Sequence, residues 1–255
     1  MHGPITMSLC RAATAPRLWA GVDRWRHEAR RAGLLALIGP QVLLMAGAGF
    51  LVLVRARHQP VDRIAGSLLE AVLPLGAAIA IAGLVGSDPA LEVQLSLPAS
   101  YRGSLARRFA VALGICAATA WLGTIVFGGV NAWHAPTGAL AAQLVWLIPL
   151  SVLCAVAGAV ATATGNGRIA AGVVAGLWVA EEYFKDALIT PRWAQPLYLF
   201  ATARADNPPY LIHGELTHAW FVNRAVLAAV ACAAIAFGWM ALRSPHRLLT
   251  KGEKS

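Results

Sequence analysis

The chain has 255 residues, of which 58% are hydrophobic and only 13% charged, where soluble domains carry roughly a quarter charged residues. Its formal net charge is +9, from 21 Lys and Arg against 12 Asp and Glu. This composition excludes an ordinary soluble domain. The basic excess reads as residues that flank membrane spans and face anionic lipid head groups, not as a nucleic-acid surface.

A hydrocarbon core about 30 Å thick needs about 20 consecutive apolar residues in a helix rising 1.5 Å per residue. Gly33–Val54 and Phe109–Val130 are such runs without a charge, and Gly138–Ala163 is a third, interrupted by Gln143 and Pro149. The expected fold is therefore all-α and polytopic: a single six-helix membrane domain over residues 32–245 between an N-terminal segment (1–31) and a short tail (246–255). Residues 1–16 lack the continuous apolar core of a signal peptide. The preference for Arg over Lys, with abundant Ala and Gly, points to a GC-rich bacterial genome, and the expected location is the bacterial plasma membrane.

The elements follow in order. Residues 17–31 place Leu18, Val22, Trp25 and Ala29 on one helical stripe with Trp19 at its edge, and Arg17, Arg24, His27, Glu28, Arg30 and Arg31 elsewhere. That pattern predicts an interfacial helix lying apolar side down in the head-group boundary. Span 1 is Gly33–Val54, and span 2 is about Ile64–Gly86. Glu70 lies in the apolar part of span 2, where an acid must be paired, wetted or part of a pathway or gate. Span 3 is Phe109–Val130 and span 4 about Gly138–Ala163. The turn signal Thr164-Gly165-Asn166-Gly167 precedes span 5.

Span 5 is short. Its apolar run, Ile169–Ala180, rises about 18 Å before Glu181 and Glu182. Either the helix continues with its acids facing protein, Lys185 being one partner in reach, or it ends early. Glu181 and Glu182 join Glu70 as candidate pathway or gate residues. Gly172-x-x-x-Gly176 permits close helix approach, within the chain or at a dimer seam. The following segment, within the loop 185–220, holds Pro191, Trp193, Pro196, Tyr198, Phe200, Pro208, Pro209 and Tyr210. It suits short re-entrant elements dipping into the outer leaflet between spans 5 and 6. Span 6 is about Ala225–Leu242, extended at its start by Trp220–Val222.

With both termini cytoplasmic, fourteen Lys and Arg lie inside and seven outside, the latter including Arg224. The bias obeys the positive-inside rule, with the loop Arg55–Arg63 as an exception. Of Cys10, Cys116, Cys154 and Cys232, three sit in apolar runs and none forms a C-x-x-C pair, so they read as small packing residues without a disulfide or metal role. The run His213-Gly-Glu215-Leu-Thr-His218 reads as a polar loop before a metal site.

The segment Ser87–Arg108 separates spans 2 and 3. Asp88 can cap a helix starting at Pro89, and Pro98 ends it. The alternation of Leu91, Val93, Leu95 and Leu97 favours a strand by period alone, but a lone strand has nothing to pair with, so a short helix is expected.

Here the sequence resembles the ABC-2 type transporter permeases. They carry an acidic residue at the cytoplasmic end of the second span, then Glu-x-x-Leu-x-x-x-Pro or a close variant, then basic residues leading into the third span. Asp88, Glu92, Leu95, Leu97, Pro98 and Arg102, Arg107 and Arg108 occupy those positions. Pro89 and Ala90 depart from the Arg and Gly-Thr common in the family. The order of elements over residues 17–245 resembles the family as well.

The resemblance implies a permease subunit that works as a dimer, with a second copy or a paralogue, and is driven by a separate ATP-binding cassette ATPase. ATP and magnesium would bind that partner, and no cofactor is expected in this chain. A coupling helix (segment 87–103) would dock on the ATPase through Asp88, Glu92, Leu95, Leu97, Tyr101 and Arg102. Export of an amphipathic small molecule or lipid is the expectation by analogy. No G-x-x-x-x-G-K-[ST], G-x-S-x-G or H-E-x-x-H occurs in the sequence, so the chain is not expected to be an enzyme or to hydrolyse ATP by itself. The rival readings are a polytopic enzyme acting on a lipid-linked substrate, for which Glu181, Glu182, His213, Glu215 and His218 are the only cluster to hand, and a membrane assembly factor without transport.

Overall fold

The computed structural model describes residues 33–57, 61–86, 101–134, 138–202, 210–212 and 215–242. The expected interfacial helix, with Leu18, Trp19, Val22 and Trp25, lies outside them. So do Asp88, Glu92, Leu95 and Leu97 of the expected coupling helix.

The first helix, α1, spans Gly33–Ala56. Arg55 stands in its last turn, and the Nη1 of that residue donates to the carbonyl of Val130 at 2.6 Å. That carbonyl closes the neighbouring helix α4, Tyr101–Gly129, whose C-terminal partial negative charge favours a cation. A local capping duty thus accounts for one basic residue of the loop that breaks the positive-inside pattern. Asp62 of the same loop accepts the backbone N–H of His134 at 2.7 Å, tying the two loops at this end together.

The second apolar stretch is continuous but not uniform. Helix α2 (Val61–Ser67) runs through a π-turn, Leu68–Val72, into α3 (Leu73–Gly86). Pro74 stands just past the widened turn and has no N–H to donate. Leu73 N–H reaches back five residues to Leu68 O, and the indole of Trp178 donates to Ala71 O at 3.1 Å. A neighbouring helix thereby satisfies backbone that a regular helix would satisfy itself.

Helix α4 begins two turns before Phe109, where the apolar run starts. Arg107 and Arg108 resemble a boundary in the sequence, yet Leu105 and Arg108 are buried among the helices. Tyr101 and Arg102, which the expected coupling segment includes, are the first residues of α4. Asn131, at φ 52°, stops this helix, and Ala132 and Trp133 turn their N–H groups back to Phe127 O, a left-handed helix end of the kind Asn tolerates.

Helix α5 (Ala139–Thr164) and helix α6 (Gly167–Tyr183) form a hairpin about the predicted turn. Gly165 adopts φ 69°, a conformation that Gly reaches without strain. Asn166 then caps α6 by accepting from Arg168 N and Ile169 N at 2.9 and 3.3 Å. Gly167 sits against α3 so closely that a Cβ there would stand 2.5 Å from Ala82 O. Short helix α7 (Lys185–Ile189), a 3₁₀ turn (Gln195–Leu197) and a two-residue hairpin, β1 (Leu211–Ile212) with β2 (Glu215–Leu216), lead to the last helix, α8 (His218–Ala241). The latter starts two turns before Ala225, absorbing Trp220 and Arg224.

Helix α5 is the hub: α3, α6 and α8 pack along it. Small residues permit this approach, with Ala77, Ala78 and Ala82 of α3 and Ala157 and Ala161 of α5 all buried, so that dispersion between close backbones holds the helices. Gln143 in α5 is not an orphan, because it accepts the indole N–H of Trp146 at 3.1 Å.

The periphery is apolar instead of polar. Met45 is 72% exposed, and Val42, Val52, Trp121, Ile125, Ile235 and Phe237 are exposed as well. Apolar surface this extensive marks a face covered by lipid or by another protein chain. Among the described residues five helical stretches, Ile38–Ala56, Val61–Val85, Arg102–Gly129, Leu140–Thr164 and His218–Ala241, are long and apolar enough to cross a membrane. The chain is a multi-pass α-helical membrane protein. Helix α6, with 17 residues, rises about 25 Å, short of the roughly 30 Å core. Glu181, near its end, is buried, so the helix continues past its apolar run with this acid facing protein.

Candidate functional site

The widened turn before Pro74 carries Glu70, which is fully buried. π-turns of this kind recur at functional sites. Glu70 forms an ion pair with Arg224 of α8, also buried, through Oε1 and Nη2. Both carboxylate oxygens further accept the backbone N–H of Thr202 at 3.1 Å. Thr202 Oγ1 lies 3.0 Å from Arg224 Nη2 and 2.9 Å from the indole nitrogen of Trp220, which donates to it. Arg224 Nη1 donates to Leu199 O at 3.0 Å, and the guanidinium stands 5.1 Å from the centre of the Trp220 ring.

Three residues back along the same segment, Leu199 N–H donates to Glu181 Oε2 at 3.1 Å. One stretch, 198–202, is therefore gripped by two acids and one arginine from three helices. Asn223, next to Arg224 and buried, adds a fourth grip: its Nδ2 lies within 2.8–3.1 Å of the carbonyls of Gln195, Pro196 and Tyr198. Tyr210 Oη donates to Gln195 O at 2.6 Å, and its ring stacks on that of Tyr198, centroids 6.5 Å apart. Burial, opposed by Arg224 and reinforced by Glu181, pushes the Tyr210 phenol up to about 12, so it donates at any physiological pH. Burial likewise raises Tyr198.

This is the geometry of a clamp. A carboxylate and a guanidinium that would each be costly in an apolar bundle satisfy one another and the backbone of a non-helical segment. Irregular backbone can stay within a membrane bundle only if its polar groups are met by protein or water. Tyr198, Leu199, Phe200 and Ala201 are all buried, whereas Trp193, upstream, is 78% exposed. The segment thus folds back into the bundle between α6 and α8.

The structure sorts the sequence candidates. Glu70 and Glu181 both belong to the clamp, and Glu181 takes the Leu199 amide, not Lys185. Glu182, beside it, is half-buried. Arg224, read from the sequence as a flanking residue, is instead the buried partner of Glu70. Thr202, Trp220 and Asn223 carried no sequence signal. An acid inside one apolar run and an Arg at the head of another were the available clue, because each needs a partner of opposite sign. Gly172 and Gly176 face open space, where a Cβ added to either would meet nothing within 4 Å, which overturns the reading of intramolecular packing. Cys116 and Cys154 are buried packing residues, but Cys232 is exposed. His213 lies outside the described residues, and His218 opens α8 in an exposed position.

No protein-family profile, curated protein or solved structure matches this chain.

Proposed function

We infer that the chain is the membrane-spanning permease subunit of an ABC transporter, working with a second permease and a separate ATPase. The observation that carries the reading is the clamped segment between α6 and α8. A broken, protein-shielded stretch at this place in the helix order is what the resemblance to ABC-2 permeases implies, alongside the Asp88, Glu92 and Pro98 spacing. In this reading α6 also crosses the membrane, as the fifth of six spans, and both termini are cytoplasmic in a bacterial plasma membrane. ATP and magnesium act in the partner, whose closure pulls on the segment 87–103. The cargo is an amphipathic small molecule or lipid, and the direction is export.

Coupling is the decisive test. The full chain is co-expressed with a candidate ATP-binding cassette ATPase from the same genome. Co-purification and cargo-stimulated ATP hydrolysis are expected, with none from the chain alone. The double variant Glu92→Lys, Leu95→Asp should lose both while inserting normally, because removing a desolvated charge contact at an interface costs about 2–5 kcal/mol. Unchanged association in that variant would overturn the coupling role.

A further inference from the structure

The clamp closes one end of the bundle, and the opposite half holds a cavity of about 310 Å³ between α3, α4, α5 and α8. That volume falls at the lower end of the range, about 300–1,000 Å³, in which small-molecule ligands are enclosed. Its walls are apolar, with Leu105, Phe109 and Trp239 among them. The hydroxyls that reach it are already committed within their own helix. Ser151 Oγ donates to Leu147 O at 2.7 Å, and Thr162 Oγ1 lies within 3.0 Å of Gly158 O and Ala159 O. A polar ligand would lose its hydration there and gain little in return.

The cavity opens sideways. Helix α8 packs along α5, while α4 meets α5 only lightly, and the slot between α4 and α8 is edged by the exposed residues Ala110, Ile235 and Trp239. These edges belong to helices that cross the membrane, so what lies beside the slot is the acyl region of the bilayer. At the end of the slot the chemistry changes. Leu242, which lines the cavity, offers its carbonyl to Arg102 Nε at 2.7 Å. That bond sets a guanidinium at the rim where α4 begins and α8 ends, the level of the lipid head groups.

We propose that this cavity takes an acyl chain of an anionic phospholipid, whose phosphate meets Arg102 at the rim. The apolar walls, the lateral opening and the cation at head-group depth all match that one ligand. The site stands apart from the transporter reading and does not depend on it.

The full chain, reconstituted in phosphatidylcholine vesicles, is exposed to a trace of phosphatidylglycerol or phosphatidylcholine bearing the same photoreactive acyl chain. Labelled peptides are then mapped. Phosphatidylglycerol should label peptides covering 105–113 and 234–242 about fivefold more than phosphatidylcholine, the effect expected of one basic residue at a head group. Labelling around Met45 and Val52, which face bulk lipid, should show no such preference. Excess unlabelled phosphatidylglycerol should abolish the first signal alone. Ala155→Phe and Ala106→Phe, which fill the cavity from opposite walls, should each remove it, and Arg102→Gln should erase only the head-group preference. Equal labelling by the two lipids, labelling that survives either filled cavity, no cavity label at all because a segment of the chain lies there, or a photo-crosslinked dimer in its place would each overturn the proposal. The competition experiment needs no variant and stands if one fails to insert.

Discussion

Glu70 and Arg224, 154 residues apart in the chain, form an ion pair in which neither side chain is more than 3% exposed. The pair joins the π-turn of the second apolar stretch to the first turns of the last helix. Thr202 lies between them as a third party, so the contact also fixes the segment that returns into the bundle. A buried pair of this kind is poor evidence of net stabilisation, because desolvation offsets most of the attraction. Breaking it is another matter.

Arg224→Met should remove from the buried Glu70 carboxylate the counter-charge that Arg224 supplies, at a cost of about 3–5 kcal/mol. Glu70→Leu should be comparably harmful, since it strands the guanidinium. The double variant Glu70→Leu, Arg224→Met removes both charges and should recover much of the loss. Thermal unfolding in detergent, followed by size-exclusion, reads the cycle. Additive losses would mean that the two residues act independently and that the clamp is not built on their pairing.

The return of 198–202 into the bundle gives an accessibility pattern. In a background with Cys10, Cys116, Cys154 and Cys232 replaced by Ser or Ala, single cysteines at Leu199 and Ala201 should resist a water-borne maleimide, because both positions are buried. A cysteine at Trp193, on the exposed approach to the segment, should react quickly. Uniform labelling across 193–201 would describe a solvated loop and contradict the fold at this end.

How far the sequence displays this architecture depends on which signal each element carries. Apolar runs without charge mark α1, α4, α5 and α8, since a 30 Å core imposes a minimum length that few soluble helices meet. The edges were less legible. Arg107 and Arg108 suggest that a span begins after them, yet Leu105 is buried one turn earlier, because a membrane helix ends where its packing ends and not where its first charge falls. The irregular, largely buried character of the segment after α6 was legible in its Pro and aromatic residues. Its attachment was not. Thr202 and Leu199 contribute backbone N–H groups to the clamp, and a backbone donor leaves no trace in residue identity. Arg224 could have been found by asking which cation pairs with Glu70.

Sidedness is testable apart from any function. The basic residues predict that the segment around Arg102 and the segment around Pro209 lie on opposite sides of the membrane, with Arg102 cytoplasmic. Reporter fusions after each position should give opposite signals. The same signal from both would require an even number of crossings between them, and α6 would then not span.

Two glycines of one helix allow the packing of α6 to be tested at each of its faces. Gly167 stands where α6 meets the end of α3, and a Cβ there would lie 2.5 Å from the carbonyl oxygen of Ala82 and 3.2 Å from its carbon. Backbone cannot swing aside as a flexible side chain can, so Gly167→Ala must push α6 away from α3 and strain the turn that Asn166 caps. Overpacking of this kind costs about 1–3 kcal/mol. Gly172, one and a half turns on, faces open space, and Ala there removes only the entropic penalty of glycine in a helix, a gain of about 0.5–1 kcal/mol in the monomer. Gly167→Ala should therefore lower the unfolding temperature in detergent and Gly172→Ala should hold or raise it. If Gly172→Ala instead destabilises the protein, and does so only at concentrations where it self-associates, the Gly172–Gly176 face is occupied by a second copy and the open surface of α6 is a helix seam. Equal losses from both substitutions at every concentration would place α6 differently against α3 from the arrangement described.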